Sequence, residues 1–470
     1  MRAVIPSHIT PRTTALKPLY LLILCWSFLV PHLAQATDTP IEFTTRRIDE
    51  LKINLINPTS DPAYNRKFID QIRTKLALFP GDHISQEKLD FALIQLKNNP
   101  DLSDLSYSLE TGVYGGVNII LSLHIKSNIT AQTASLTADN TTKFPVLYHQ
   151  DGKFLKAKFE ALGLYYANQN AWYGNPQAML AGNPLVDGKS AGQGYDDWVE
   201  NYIHGGLYGM YPLSTNTYGY AGISAIGSFS NGQELFTNKT RSYLAFEDAY
   251  IGFVTGTTTT KGNRAVLNLS AGRERFTLGD GMLIINTAAN GGERAALQSN
   301  ARWSADFVAK AQIQYNRHRL EFFRVDPSEL SILDTKTVIN GINLQTNIAR
   351  ADLGFSYLKV AKSNAYYYLP THEKYTRQGL NVWDIRAHWN KTPTHQGGIF
   401  LAGEYAQQTH ENFAMKAQAY NAELGYRWPM AKWSPSFSYR YAKFTGDQPD
   451  TKRYERWDPL FSGGNGEQWV

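Results

Sequence analysis

Asn381-Val382-Trp383-Asp384-Ile385-Arg386-Ala387-His388-Trp389 is the stretch whose reading decides the fold. Side chains of an extended strand alternate between its two faces. Trp383, Ile385, Ala387 and Trp389 therefore share one face, and Asp384, Arg386 and His388 share the other. A soluble sheet buries such an apolar face in a core. A membrane barrel turns it to lipid and keeps ionised groups inside. The same alternation recurs, broken by turn-formers, in about thirteen segments between residues 153 and 446.

The N-terminus separates the two cases. Residues 1–36 carry Arg2, Arg12 and Lys17 without an acid, then an apolar run at 19–30, then Ala34-Gln35-Ala36. The run is too short to span a bilayer comfortably, and the small-residue box is a cleavage site. An export signal is expected, with the mature chain starting at Thr37. The one cysteine, Cys25, lies inside that signal, which excludes disulfides, thiolate catalysis and cysteine-held metals from the mature chain. Lys and Arg number 46 against 41 Asp and Glu, and removing the three signal bases leaves the chain near neutral. Nothing there points to nucleic acid. No apolar run approaches the length of a membrane helix. Aromatics make up 13% of residues, with 28 Tyr. That suits the aromatic girdles of an outer-membrane barrel, and also a large secreted β protein.

Residues 37–127 follow a different pattern. A strand alternates at 51–56. Tyr64, Phe68, Ile72, Leu76 and Phe79 make a helical stripe, closed by Pro80-Gly81. Ser85 is suited to cap a second helix bearing Leu89, Leu93 and Leu96. Asn98-Asn99-Pro100 ends it, and strands at 105–110 and 117–125 form a hairpin. This β-α-α-β-β order resembles a POTRA domain, the module on the periplasmic side of outer-membrane barrels. The resemblance implies a strand edge offered to a periplasmic protein partner. Residues 128–152 read as a linker, and 153–470 as the barrel. The fold class expected is mainly β: a transmembrane antiparallel barrel of about 16–18 strands when complete. Residues 457–470 are Gly-rich, contain Pro459 and do not alternate, so the chain is read as ending before its closing strands. Short links such as Asn316-Arg317 are expected at the periplasmic end. Long ones such as 169–198 and 366–378 are expected outside the cell.

Four motifs carry a second resemblance. Phe246-Glu247-Asp248-Ala249-Tyr250 is followed by Gly272-Arg273-Glu274-Arg275-Phe276 and Gly279-Asp280-Gly281-Met282-Leu283-Ile284. Much later comes Tyr454-Glu455-Arg456-Trp457-Asp458-Pro459-Leu460-Phe461. With these the barrel resembles the alginate-export family of outer-membrane proteins over about residues 150–470. The alginate exporter itself does not carry the periplasmic module in this form, which bears on the substrate more than on the fold.

Parity names candidates for the channel lining: Arg273, Arg275, Arg317, Arg319, Arg350, Asp352, Asp384, Arg386, Glu423, Arg427 and Arg440. Charges facing lipid at mid-depth would cost about 2–4 kcal/mol, so these faces are expected to be wet. Arginine forks suit carboxylate capture, and the family resemblance implies an anionic polysaccharide as cargo. The charges could equally pair with one another and merely fill the wall. Gly279-Asp280-Gly281 reads as a tight turn.

Three functions compete. The first is an outer-membrane channel for anionic saccharides. The second is a protein-translocation or assembly pore; such families carry an Arg-Gly-aromatic signature, which this sequence lacks. The third is an outer-membrane enzyme. No nucleophile elbow, no Ser/His/Asp spacing and no metal-ligand spacing stands out, so no enzyme, cofactor or metal is expected. The expected partners are outer-membrane lipid, the saccharide and a periplasmic protein, in a Gram-negative outer membrane.

Overall fold

The computed structural model describes residues 46–56, 58, 62–76, 78, 83–84, 89, 92–93, 96, 99, 101–111, 117–125, 146–150, 153–169, 195–214, 216–232, 240–259, 263–348, 351–369, 371–390, 398–428, 435–448 and 450–462. The export signal, Arg350 and most of the expected linker lie outside the described residues.

The N-terminal part folds around its own core. β1 (Arg46–Leu55) runs parallel to β4 (Val117–Ile125), with β2 (His83–Ile84) and β3 (Leu102–Thr111) at the edges, in the order β2-β1-β4-β3. Pro62 opens α1 (Pro62–Leu76), a position where its missing N–H costs nothing. Phe68, Ile72 and Leu76 of the helical stripe are buried. They pack with Leu89, Leu93, Leu96 and the inner residues of β4, Val117, Ile119, Leu121 and Leu123. Leu89, Ala92, Leu93 and Leu96 are helical, as the second helix requires. The two-residue β2 is an addition to the expected order.

The rest is one antiparallel meander of 14 strands. It starts with β5 (Val146–Gln150) and β6 (Lys153–Gln169). It continues with β7 (Tyr195–Ser214), β8 (Thr217–Gly232), β9 (Arg241–Thr258), β10 (Arg264–Arg273), β11 (Phe307–Tyr315), β12 (His318–Asp326), β13 (Val338–Ile348) and β14 (Ala351–Lys362). A small hairpin, β15 (Tyr366–Tyr368) with β16 (Lys374–Thr376), interrupts it. β17 (Leu380–Asn390), β18 (Gly398–His410), β19 (Ala417–Arg427) and β20 (Ser436–Phe444) finish it. All thirteen strands read from the sequence are present. β5 falls in the stretch read as linker and pairs with β6, so the sheet begins earlier than expected. β5 and β20 are its two edges.

The longest connections share one end of the sheet. Residues 259–263 and 316–317 make short turns at one end; 274–306, 327–337 and 363–379 make long links at the other. This is the asymmetry of outer-membrane barrels, with turns periplasmic and loops extracellular. The outer face is apolar over most of its height: Leu244 is 78% exposed, Ile251 68% and Phe159 66%. A soluble protein could not leave so continuous an apolar surface in water.

Candidate functional site

The inner wall is built from the strand residues opposite that apolar face. On β17, Ile385 and Trp389 are exposed outward while Asp384 is fully buried and Arg386 nearly so. The expected parity holds on β14, β19 and β20 as well, where Leu353, Phe355, Leu424, Tyr426, Phe437 and Tyr439 all face out.

Two segments cover this wall from the long-loop end. The first is the β10–β11 connection, residues 274–306. Its leading half, Phe276, Leu278, Met282, Leu283 and Ile284, forms one cluster with inward residues of seven strands, among them Phe323, Ile339, Leu358, Val360, Val382 and Ala406. The second segment, 454–461, joins the same cluster through Tyr454 and Trp457. The expectation of a wet inner face is corrected here: near the long-loop end the wall is apolar and dry. Buried at that density, each large side chain contributes about 1.5–3 kcal/mol.

The two family-like motifs meet in this cluster, although some 180 residues separate them. Ile284 bridges Phe461, with Ile285 N donating to Phe461 O at 3.0 Å and Phe461 N to Leu283 O at 3.1 Å. Asp458 is the knot of the second segment. It accepts from Tyr367 Oη at 2.6 Å and from Arg377 Nε at 2.8 Å. Its backbone exchanges hydrogen bonds with the Gln408 amide of the wall. The 366–378 loop is thereby drawn inward through its hairpin, β15–β16.

The trailing half of the 274–306 link is held by acids. β9 carries a bulge in which Glu247 and Asp248 together oppose Ser224, between the pairs Phe246–Ala225 and Ala249–Ile223. A bulge re-aims side chains, and both acids point inward and are buried. Glu247 accepts the N–H groups of Trp303 at 2.6 Å and Ser304 at 2.8 Å, and pairs with Arg302 at 3.1 Å. Asp248 accepts from Ser304 Oγ, Ser224 Oγ and Tyr208 Oη at 2.7–2.8 Å. One strand pair away, Glu200 accepts Gln298 N at 2.9 Å and Ser299 N at 2.7 Å. Sequence reading quoted Glu247 as part of a motif and missed its task; Glu200 and Arg302 carried no signal at all.

A polar belt crosses the wall below. Arg386 donates to Asp384, to Ser356 Oγ at 2.8 Å and to Asn343 Oδ1 at 2.8 Å. Gly354 of β14 and Gly279 of the loop flank its guanidinium so closely that a Cβ on Gly279 would lie 2.5 Å from Arg386 Nε. Gly279 (φ 56°) and Gly281 (φ 92°) form the expected turn, and Asp280 Oδ2 lies 2.7 Å from His388 Nε2. Arg319 donates to Gln345, and Gln312 to Glu321. Lys310 meets Glu274 at 2.5 Å. Arg275, 5.9 Å above the Trp303 ring, faces a recess of ≈ 10 Å³ shared with Lys310, Arg319 and Asn343, about the room of one water.

The other candidates sit as follows. Glu423 and Arg440 pair at 2.7 Å, and Asp352 accepts from Asn347. Arg427 lies over the Phe400 ring and donates to Asn390 at 3.1 Å. Two placements are corrected. Arg273 is in register with Ala249, an exposed outward residue, and pairs with Asp306 at 2.5 Å at the loop rim. Arg317 lies in the β11–β12 turn and donates to Asn347 O at 3.4 Å. Asp384, Arg386 and Arg319 are buried among partners, so in this structure they meet their neighbours and not the lumen. Cations and acids alternate along the belt.

The alginate-export family model matches residues 226–469, just over half of the chain. The chain belongs to the alginate-export family. The match opens at Ile226 in β8 and takes in the bulge, the inserted link and the 454–461 segment, which are the parts that close the wall. The family is one of outer-membrane transport channels, not enzymes, and places the chain in the Gram-negative outer membrane as a polysaccharide-export channel. Among solved structures, BamA from Haemophilus ducreyi lacking POTRA domains 1-3 aligns over 85% of this chain and 81% of its own at 10% identity, with a TM-score of 0.23. A BenF-like porin from Pseudomonas fluorescens Pf-5 aligns over 74% and 92% at 9% identity, TM-score 0.29. Likeness at this level carries no argument. No curated protein matches the chain.

Proposed function

We propose that this channel passes an anionic saccharide polymer, and that the arrangement described is its closed form. The reading rests chiefly on the belt that crosses the inner wall. Its arginines, Arg275, Arg319 and Arg386, are lodged among amides, hydroxyls and carboxylates. Guanidinium forks so placed can exchange a wall partner for a sugar carboxylate, while interleaved acids keep any one site from holding the polymer. The 274–306 link covers the belt from the extracellular side, so transport requires it to leave the wall. Residues 46–125 add a periplasmic partner to the reading, since β3 is an open edge suited to strand addition.

The test is the reversal potential of the refolded full chain in a planar bilayer under a salt gradient, before and after adding uronate oligomers. The wild type is expected to conduct little. Glu247→Ala, which releases the link, is expected to conduct more, to prefer anions and to be blocked by the oligomers. An open pore that prefers cations and ignores uronate would overturn the saccharide reading and favour a protein-translocation pore.

A further inference from the structure

The outer face changes character abruptly near the long-loop end of β11–β14. Ala309, Arg324, Asn340, Lys359 and Asn381 stand side by side across five strands. One step towards the periplasmic end, the row is Ala311, Phe322, Ile342, Tyr357 and Trp383. Below it come Ile313, Leu344, Phe355 and Ile385, all exposed. Cations on the lipid side of a barrel are tolerated only near an interface. The polar row therefore marks the headgroup level of the extracellular leaflet.

At that level the surface is hollow. The small side chains of Ala309 and Ala311 leave a groove of ≈ 530 Å³, walled by Phe322 and Ile342 and rimmed by Arg324 and Lys359. The two cations stand on strands two ladder steps apart, roughly 10 Å. Arg324 donates to the neutral Asn340 amide at 3.1 Å. Lys359 meets Glu411 at 2.5 Å, but both side chains are nearly half exposed (45% and 46%), and such a pair is readily exchanged. Asp326 lies one step beyond Arg324, with Asp306 and Asp334 close to it.

We propose that this groove binds a phosphate-bearing lipid of the extracellular leaflet, its phosphate held between Arg324 and Lys359 and an acyl chain lying over Ala309, Ala311 and Phe322. Charge complementarity at the headgroup level and an apolar trough directly beneath it are what such a lipid requires and what a soluble anion does not.

The test is native mass spectrometry of the full-length protein in micelles. The probes are bis-phosphorylated lipid A, the same lipid dephosphorylated, and inorganic phosphate. Retention of the phosphorylated lipid is expected to exceed that of the dephosphorylated one at least tenfold. The double variant R324Q/K359Q should lose that preference while keeping the heat-modifiable gel shift of the folded barrel. Equal retention of both lipids, or an unchanged preference in the double variant, overturns the proposal. Full competition by inorganic phosphate reduces the site to an ion site and overturns it too. So does a dimer that the double variant dissolves, since the groove would then belong to a second copy.

Discussion

Glu247 shows how much can hang on one side chain. It is fully buried, and it satisfies two backbone donors and the Arg302 guanidinium. Buried pairs of this kind add little against an apolar replacement, but removing one partner leaves a bare charge and costs about 3–5 kcal/mol. Glu247→Ala is expected to leave the sheet intact and detach the link. Because residues 37–470 hold no cysteine, a single cysteine at Ala288, buried in the wild type, reports this cleanly in a chain of those residues. A thiol reagent should modify it slowly in the wild type and much faster beside Glu247→Ala. Equal rates would show that the apolar half of the link holds on its own. Of the residues in this site, Arg386 and Asp384 were legible from parity alone. Glu200 and Glu247 were not, because their partners are backbone N–H groups, which no residue type announces.

At the scale of elements, every expected strand was legible, since period two survives on any strand with one apolar face. What the inward face touches was not legible. Val382 and Asp384 share a face, yet one packs in a dry cluster and the other in the polar belt. The difference lies in which loop arrives, and loops write no period. Two of those loops are clasped to each other through Glu293, whose carboxylate accepts from Ser331 N at 2.9 Å and Ser331 Oγ at 3.0 Å. Burial alone would raise its pKa; hydrogen bonds from Ser331 and from its own backbone, with the nearby Arg294 charge, together hold it below the ordinary 4.5. A depressed carboxylate stabilises the fold above its unfolded value, and the contribution fades as pH falls through the folded one. The clasp should therefore hold at neutral pH and open only below about pH 4.5. Hydrogen exchange at the Ser331 amide, corrected for intrinsic rate, should lose protection across that range. Unchanged protection down to pH 3 would sink the idea.

On the scale of the whole molecule, the N-terminal part and the sheet are built on opposite plans. Residues 46–125 bury their apolar side chains against one another, whereas the sheet turns its own outward. The first should therefore fold without lipid. A fragment of residues 37–127 is expected to unfold cooperatively in urea by circular dichroism. A broad, featureless transition would mean that its core is incomplete without the rest of the chain. The order of elements here was legible because a helical stripe between strands is a strong local signal. The pairing of β2 with β1 was not, being only two residues long.

The bulge at Glu247 also sets the phase of its strand. Above it, odd-numbered residues, Arg241, Tyr243 and Ala245, look inward; below it, even-numbered ones do, Asp248, Tyr250 and Gly252. Straightening the strand at its full length would not simply smooth a kink. It would rotate one half by a full face, sending Leu244 and Phe246 into the packed interior and Arg241 and Tyr243 into the membrane. Removing Glu247 or Asp248 would instead restore plain alternation with both halves facing as before, so the spare residue is what lets two inward acids stand side by side.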